Sequence, residues 1–138
     1  MNRLGLPIIL VFVVFAVVDW VGHGMMDFQM FKDSAELWRQ AGPLTYTSIY
    51  LGYLALAVLF CLVYSKGYEG RGAGEGLRFG MWMALLVYLP NALIAYGHYK
   101  MGPRAAAADF LVNVVACLVA GWVLGATYKG PAVRATAA

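Results

Sequence analysis

The sequence predicts an all-α integral membrane protein, a bundle of four transmembrane helices. Three observations carry that prediction. Hydrophobic residues make up 62% of the 138-residue chain and charged residues 12%. A soluble domain typically carries about 25% charged residues, so an ordinary aqueous globule is excluded. Mean hydropathy is +0.71, which equally excludes a disordered tail. Four separate apolar runs each reach the roughly 20 residues that cross a hydrocarbon core at about 1.5 Å per residue. The net charge of +3 is too weak a field to argue for a nucleic-acid partner.

The spans are taken in order. The first runs from about Leu6 to Phe28, with Pro7 where a helix start tolerates proline. It has the length and leading Arg3 of a signal peptide, but it lacks an A-x-A-type cleavage site and carries Asp19 and His23. It reads as a retained span. The second runs from about Tyr46 to Tyr64, the third from Leu77 to Tyr99 and the fourth from Ala105 to Tyr128. Lipid offers backbone groups no water partner, so each should be helical. The four form a single domain over residues 1–138. Between the first two spans, Ser34 is placed to cap a short helix that lays Leu37 and Trp38 in the interface.

Charge sets an orientation. Arg3, Lys66, Arg71, Arg78, Lys129 and Arg134 fall on one side, and Lys32, Arg39, Lys100 and Arg104 on the other. Six bases against four favour both termini in the cytoplasm. Gly22-His23-Gly24-Met25-Met26 and Gly97-His98-Tyr99-Lys100-Met101 both read G-H-x-x-M. Each lies near the outer end of an odd-numbered span, as two helical hairpins in parallel repeat would place them.

Ionisable groups inside a bilayer are costly, so they mark candidate sites. Asp19 and His23 share a helix face at i,i+4. Asn91 and His98, seven apart, share another. Asp109 and Asn113 repeat the i,i+4 spacing on the fourth span. A bundle could bring these six into one polar pocket near the outer face. An Asp beside a His suits the orientation of a metal-binding imidazole. His23 and His98 with Met26 and Met101 offer copper-type donors, or two axial ligands for haem. The structural alternative is that Asp19 and His23 merely satisfy each other. Cys61 and Cys117 lack C-x-x-C spacing and read as packing residues. Gly121-x-x-x-Gly125 is a close-packing motif for the bundle or for a homodimer. The glycines of the inner loop, Lys66 to Gly80, fit neither a P-loop nor a dinucleotide loop and read as a tight, positively charged turn. Pro90 predicts a kink in the third span.

Two stretches resemble a family of small, uncharacterised bacterial four-span membrane proteins. One is His23-Gly24 with the following Leu37-Trp38-Arg39. The other is the inner stretch from Tyr64-Ser65-Lys66-Gly67-Tyr68-Glu69-Gly70-Arg71-Gly72 through Glu75-Gly76-Leu77-Arg78-Phe79-Gly80. The resemblance implies a multi-pass topology in the bacterial inner membrane and no particular activity. His98 lies outside its pattern, which points to Asp19 and His23 rather than to a two-histidine site.

No Ser-His-Asp order, H-E-x-x-H or paired glycosidase carboxylates occur. The chain therefore reads as a non-enzymatic accessory or cofactor-binding subunit with an Asp/His pocket. Two alternatives stand beside that reading. One is a small proton-coupled transporter or channel using Asp19, like small multidrug-resistance exporters in size and in the placement of the acid. The other is an electron-transfer or binding protein holding haem b or copper on His23 and His98. Haem, copper and a pigment are the cofactors left open. The lipid bilayer, a larger membrane complex and a second copy are the partners to expect.

Overall fold

A computed structural model describes residues 3–25, 42–99 and 102–131. The described residues form helices joined by turns: α1 (Gly5–Met25), α2 (Pro43–Lys66), α3 (Ala73–Met83), a π-helical turn (Ala84–Tyr88), α4 (Leu89–His98) and α5 (Pro103–Thr127). α3, the π turn and α4 make one continuous third span. All four spans are long and apolar enough to cross a membrane, so the chain is a multi-pass membrane protein with an all-α four-helix bundle. The interface helix expected around Ser34, Leu37 and Trp38 lies outside the described residues.

The connection after α2 is shorter than the sequence suggests. The chain turns within residues 67–72, and α3 begins at Ala73 rather than near Leu77. Gly70 and Gly72 take φ of 84° and 72°, a region that side-chain-bearing residues rarely adopt. Glu75, in the first turn of α3, is buried. Its two carboxylate oxygens accept the backbone N–H groups of Glu69 and Arg71, each at 2.8 Å. The loop thus wraps around one carboxylate, in the manner of a capping box extended upstream. Arg71 and Arg78 pair with Glu69 on the exposed side.

α5 is the hub of the bundle. It packs most closely on α3, then on α1, while α2 packs on α1. Gly76 and Gly80 of α3 face Gly121 and Gly125 of α5, backbone against backbone. A Cβ on Gly76 would meet the Gly121 carbonyl and would lie 2.7 Å from the Gly125 nitrogen. A Cβ on Gly125 would lie 2.9 Å from the Gly76 Cα. The Gly121-x-x-x-Gly125 motif therefore serves the bundle, and its partner is Gly76-x-x-x-Gly80, residues that the sequence reading left in a turn. Lipid supplies no hydrophobic drive between helices, so such close approach is what holds them by dispersion. Cys117 and Cys61 are buried free thiols in this core, as expected of packing residues.

α2 joins the same end of the bundle through rings. Phe15 of α1 stacks edge-on against Phe60 of α2 at 5.5 Å, and Phe60 against Phe79 of α3 at 4.8 Å. Tyr64 continues the ladder to Phe79 and Tyr128, and Tyr68 closes on Tyr128 at 4.8 Å. Edge-to-face pairs of this kind add about 0.5–1.5 kcal/mol each beyond area burial. The Tyr64 hydroxyl is buried there, beside the Glu75 carboxylate.

The kink expected at Pro90 takes the form of the π turn one step earlier. The Leu89 N–H bonds back to Ala84 O, five residues away, and proline supplies no N–H to restore the regular ladder. Beyond it, α4 buries no residue and packs mainly on α5.

Two outcomes are expected from this packing. Gly76→Ala should lower thermal stability in detergent by about 1–3 kcal/mol through overpacking. Gly52→Ala, where a Cβ meets nothing within 4 Å, should not destabilise. Equal melting points for the two variants would contradict the glycine contact. Glu75→Ala should cost about 2–4 kcal/mol by orphaning two charge-assisted hydrogen bonds, and Glu75→Gln, which keeps one acceptor oxygen, less than that. Chemical denaturation of the three proteins orders them.

Candidate functional site

The opposite end of the bundle is polar. α1 presents Asp19 and His23 on one face, as the i,i+4 spacing requires. α5 meets α1 at Gly22, where a Cβ would come within 2.5–2.7 Å of the Val112 methyls. Three residues earlier on the same face of α5 stands Asp109. The absence of a side chain at Gly22 lets the helices close until His23 Nε2 lies 3.2 Å from Asp109 Oδ1. His23 Nδ1 lies 3.0 Å from the Asp19 backbone carbonyl and 3.2 Å from Asp19 Oδ1. α2 contributes Tyr53, whose hydroxyl donates to Asp19 Oδ2. Three spans thus share a Tyr53–Asp19–His23–Asp109 network, in which the two carboxylates and the imidazole are each half-buried.

The proton content of this network follows from its donors and acceptors. Nδ1 lies against two Asp19 oxygens that accept, so it carries a hydrogen. Nε2 faces a carboxylate oxygen, and a hydrogen bond there needs one more proton. That proton sits on the ring, making an imidazolium, or on Asp109, making a neutral acid. The His23–Asp109 hydrogen bond thus requires one proton beyond the one on Nδ1.

A cavity of about 270 Å³ adjoins the network between α1 and α2. Asp19 and His23 form its polar edge, and Trp20, Tyr46, Tyr50 and Tyr53 supply most of its walls. Tyr50 and Tyr53 pack edge-on at 6.4 Å. From the third span, the half-buried Tyr88 of the π turn lies within electrostatic reach of both Asp19 and Asp109.

The structure brings together three of the six residues expected in the pocket. Asn113 stands on the same stretch of α5, but its side-chain amide donates to the Asp109 carbonyl at 2.9 Å, which steadies the helix turn that carries the acid. Asn91 and His98 are exposed on α4. His98 Nδ1 bonds the Ile94 carbonyl at 2.9 Å and does not join the network. The physical reason is the third span's burial: it is spent at the glycine contact, and α4 has no buried face with which to enter the pocket. The paired placement of His23 and His98 suggested by the G-H-x-x-M echo is therefore not what the described residues show. Met26 and Met101 lie outside the described residues. Among those described, no group of three or more His, Cys, Asp or Glu side chains is arranged to hold a metal ion.

Tyr53 and Tyr88 were not foreseen. A tyrosine near a span end reads as an interfacial anchor, and only the position of Tyr53, seven residues inside Tyr46, distinguishes it. No family model matches the chain, and no curated protein or solved structure is similar to it. The site is therefore read from its own geometry.

Tyr53→Phe should remove one hydrogen bond to a charged acceptor and cost about 1–3 kcal/mol of thermal stability. The loss should largely vanish when Asp19 is already Asn, because the two side chains act as a pair. Additive losses in the double variant would refute the bond.

Proposed function

We propose that this protein is a non-enzymatic membrane protein that binds and releases a proton within the bilayer, coupled to occupation of the adjoining cavity. The observation that supports this is the His23–Asp109 link. It joins two helices through one proton that either partner can hold. Separate spans tied by a transferable proton form an element whose packing changes when the proton leaves. Without that proton, two carboxylates and a neutral imidazole would face each other in a poorly solvated site, and repulsion would part α1 from α5.

This is the proton-coupled reading of Asp19, extended to the carboxylate across the bundle. A transporter and a proton-sensing subunit of a larger membrane complex both use such an element. The basic residues favour a cytoplasmic location for both termini, which sets the site toward the outer face of a bacterial inner membrane. The glycine-rich stretch from Lys66 to Gly80 supports membership of the small four-span bacterial family that it resembles.

Infrared difference spectroscopy with acid–base titration tests the reading. The wild type in detergent or nanodiscs should take up one more proton than Asp109→Asn as the pH is lowered from alkaline to acid. The carboxyl or imidazolium band that accompanies uptake should be missing in Asp109→Asn and in His23→Gln. Identical proton uptake by wild type and Asp109→Asn would overturn it.

A further inference from the structure

We propose that the cavity between α1 and α2 binds a small organic ammonium ion, with Asp19 as counter-ion and Trp20, Tyr46 and Tyr50 as walls. The proposal deepens the proton-site reading of the same network and rests on it.

Charge provides the first argument. Asp19 and Asp109 bring two negative charges, and the network's one mobile proton cancels one of them. Counted over the described residues of the network, a single negative charge remains in a site half removed from water. Among the described residues no lysine or arginine pairs with either carboxylate. A surplus charge so placed is stabilised by a cation. Asp19 borders the cavity and Asp109 does not, so the vacant side of the charge balance lies toward α2.

The walls provide the second argument. Aromatic faces attract a cation through their quadrupoles, most strongly where water is excluded. One tryptophan and three tyrosines ring a volume of about 270 Å³, below the roughly 300–1,000 Å³ of pockets for drug-sized ligands. A metal cation of the calcium type needs six to eight oxygens at about 2.3–2.6 Å. The cavity offers one carboxylate, the edge of the His23 imidazole and tyrosine hydroxyls, and its surface is mainly carbon. That chemistry fits a weakly hydrated alkylammonium. Exposure of Trp20 and Tyr50 leaves the cavity open at its side, so a free ammonium compound and an ammonium lipid headgroup both have access.

A cation at Asp19 and the proton on the network are positive charges placed close together, so they repel. They therefore compete, and ammonium affinity falls as the pH is lowered through the protonation step.

Isothermal titration of the purified full-length protein tests this with choline and its uncharged carbon isostere, 3,3-dimethylbutan-1-ol. Choline should bind at least about tenfold tighter than the alcohol. Trp20→Leu and Tyr50→Leu should each weaken choline by about three- to tenfold, and Asp19→Asn should erase the preference over the alcohol. Choline binding should release protons into weak buffer, and alcohol binding should not. Equal affinities for the two probes in the wild type, or no binding of either, would overturn the proposal. Should the infrared proton step persist in that same preparation, only the ligand class fails; its absence would remove the underlying proton site as well. Nanodiscs separate the sources. Choline binding that is present in phosphatidylglycerol and suppressed in phosphatidylcholine supports the site with a lipid headgroup as occupant. Equal binding in both supports it with a soluble one.

Discussion

The backbone contact between Gly76, Gly80, Gly121 and Gly125 is the constraint from which the rest of the bundle follows. In lipid, two apolar helices gain little by hiding from solvent, because the acyl chains are as apolar as they are. They gain by approaching until many atoms are in dispersion contact. Four glycines on facing helices permit that approach over more than one turn, and a methyl group at Gly76 would collide with main-chain atoms that cannot swing aside. The rotation of α5 about its axis is thereby set. With Gly121 and Gly125 turned to α3, Asp109 and Val112 turn to α1, where Gly22 makes room for a second close approach.

The two ends of the molecule divide the work. At one, glycine contacts, an aromatic ladder from Phe15 to Tyr128 and the loop wrapped on Glu75 hold all four spans together. At the other, the spans meet through hydrogen bonds between ionisable groups and border an open cavity. Dispersion contacts at the glycines do not change with pH, whereas the His23–Asp109 link exists only while a proton is shared. The π turn ahead of Pro90 marks the border in the third span, and Tyr88, which it carries, stands between the packed core and the polar network.

The candidate site was only partly legible. Asp19 and His23 could be paired from their spacing, and Asp109 could be marked as an intramembrane acid, because cost in lipid is a property of the residue and its depth. That Asp109 meets His23 depends on the rotation of α5. Tyr53 carried no signal beyond its depth in the span, since nine tyrosines are spread through the chain. Asn91 and His98 looked equivalent to the residues that do assemble. They stand apart because α4 buries no residue, and both side chains are exposed on it. The inner glycines misled in the opposite way. Their density suggested a long turn, but two of them serve a helix interface that only becomes evident beside its partner.

The sequence by itself determined the class of structure: four apolar helices in a membrane, their approximate ends, and which polar residues are too deep in the bilayer to be incidental. Those follow from local composition, because hydrocarbon imposes helix on any spanning segment and charges every buried polar group a solvation cost. The tertiary structure decided which helix is central, which glycines touch, and which three of the six polar candidates join one hydrogen-bonded network. These depend on helix rotation and depth, quantities set by contacts between segments far apart in the chain, and a one-residue turn of about 100° would have faced Asp109 away from His23.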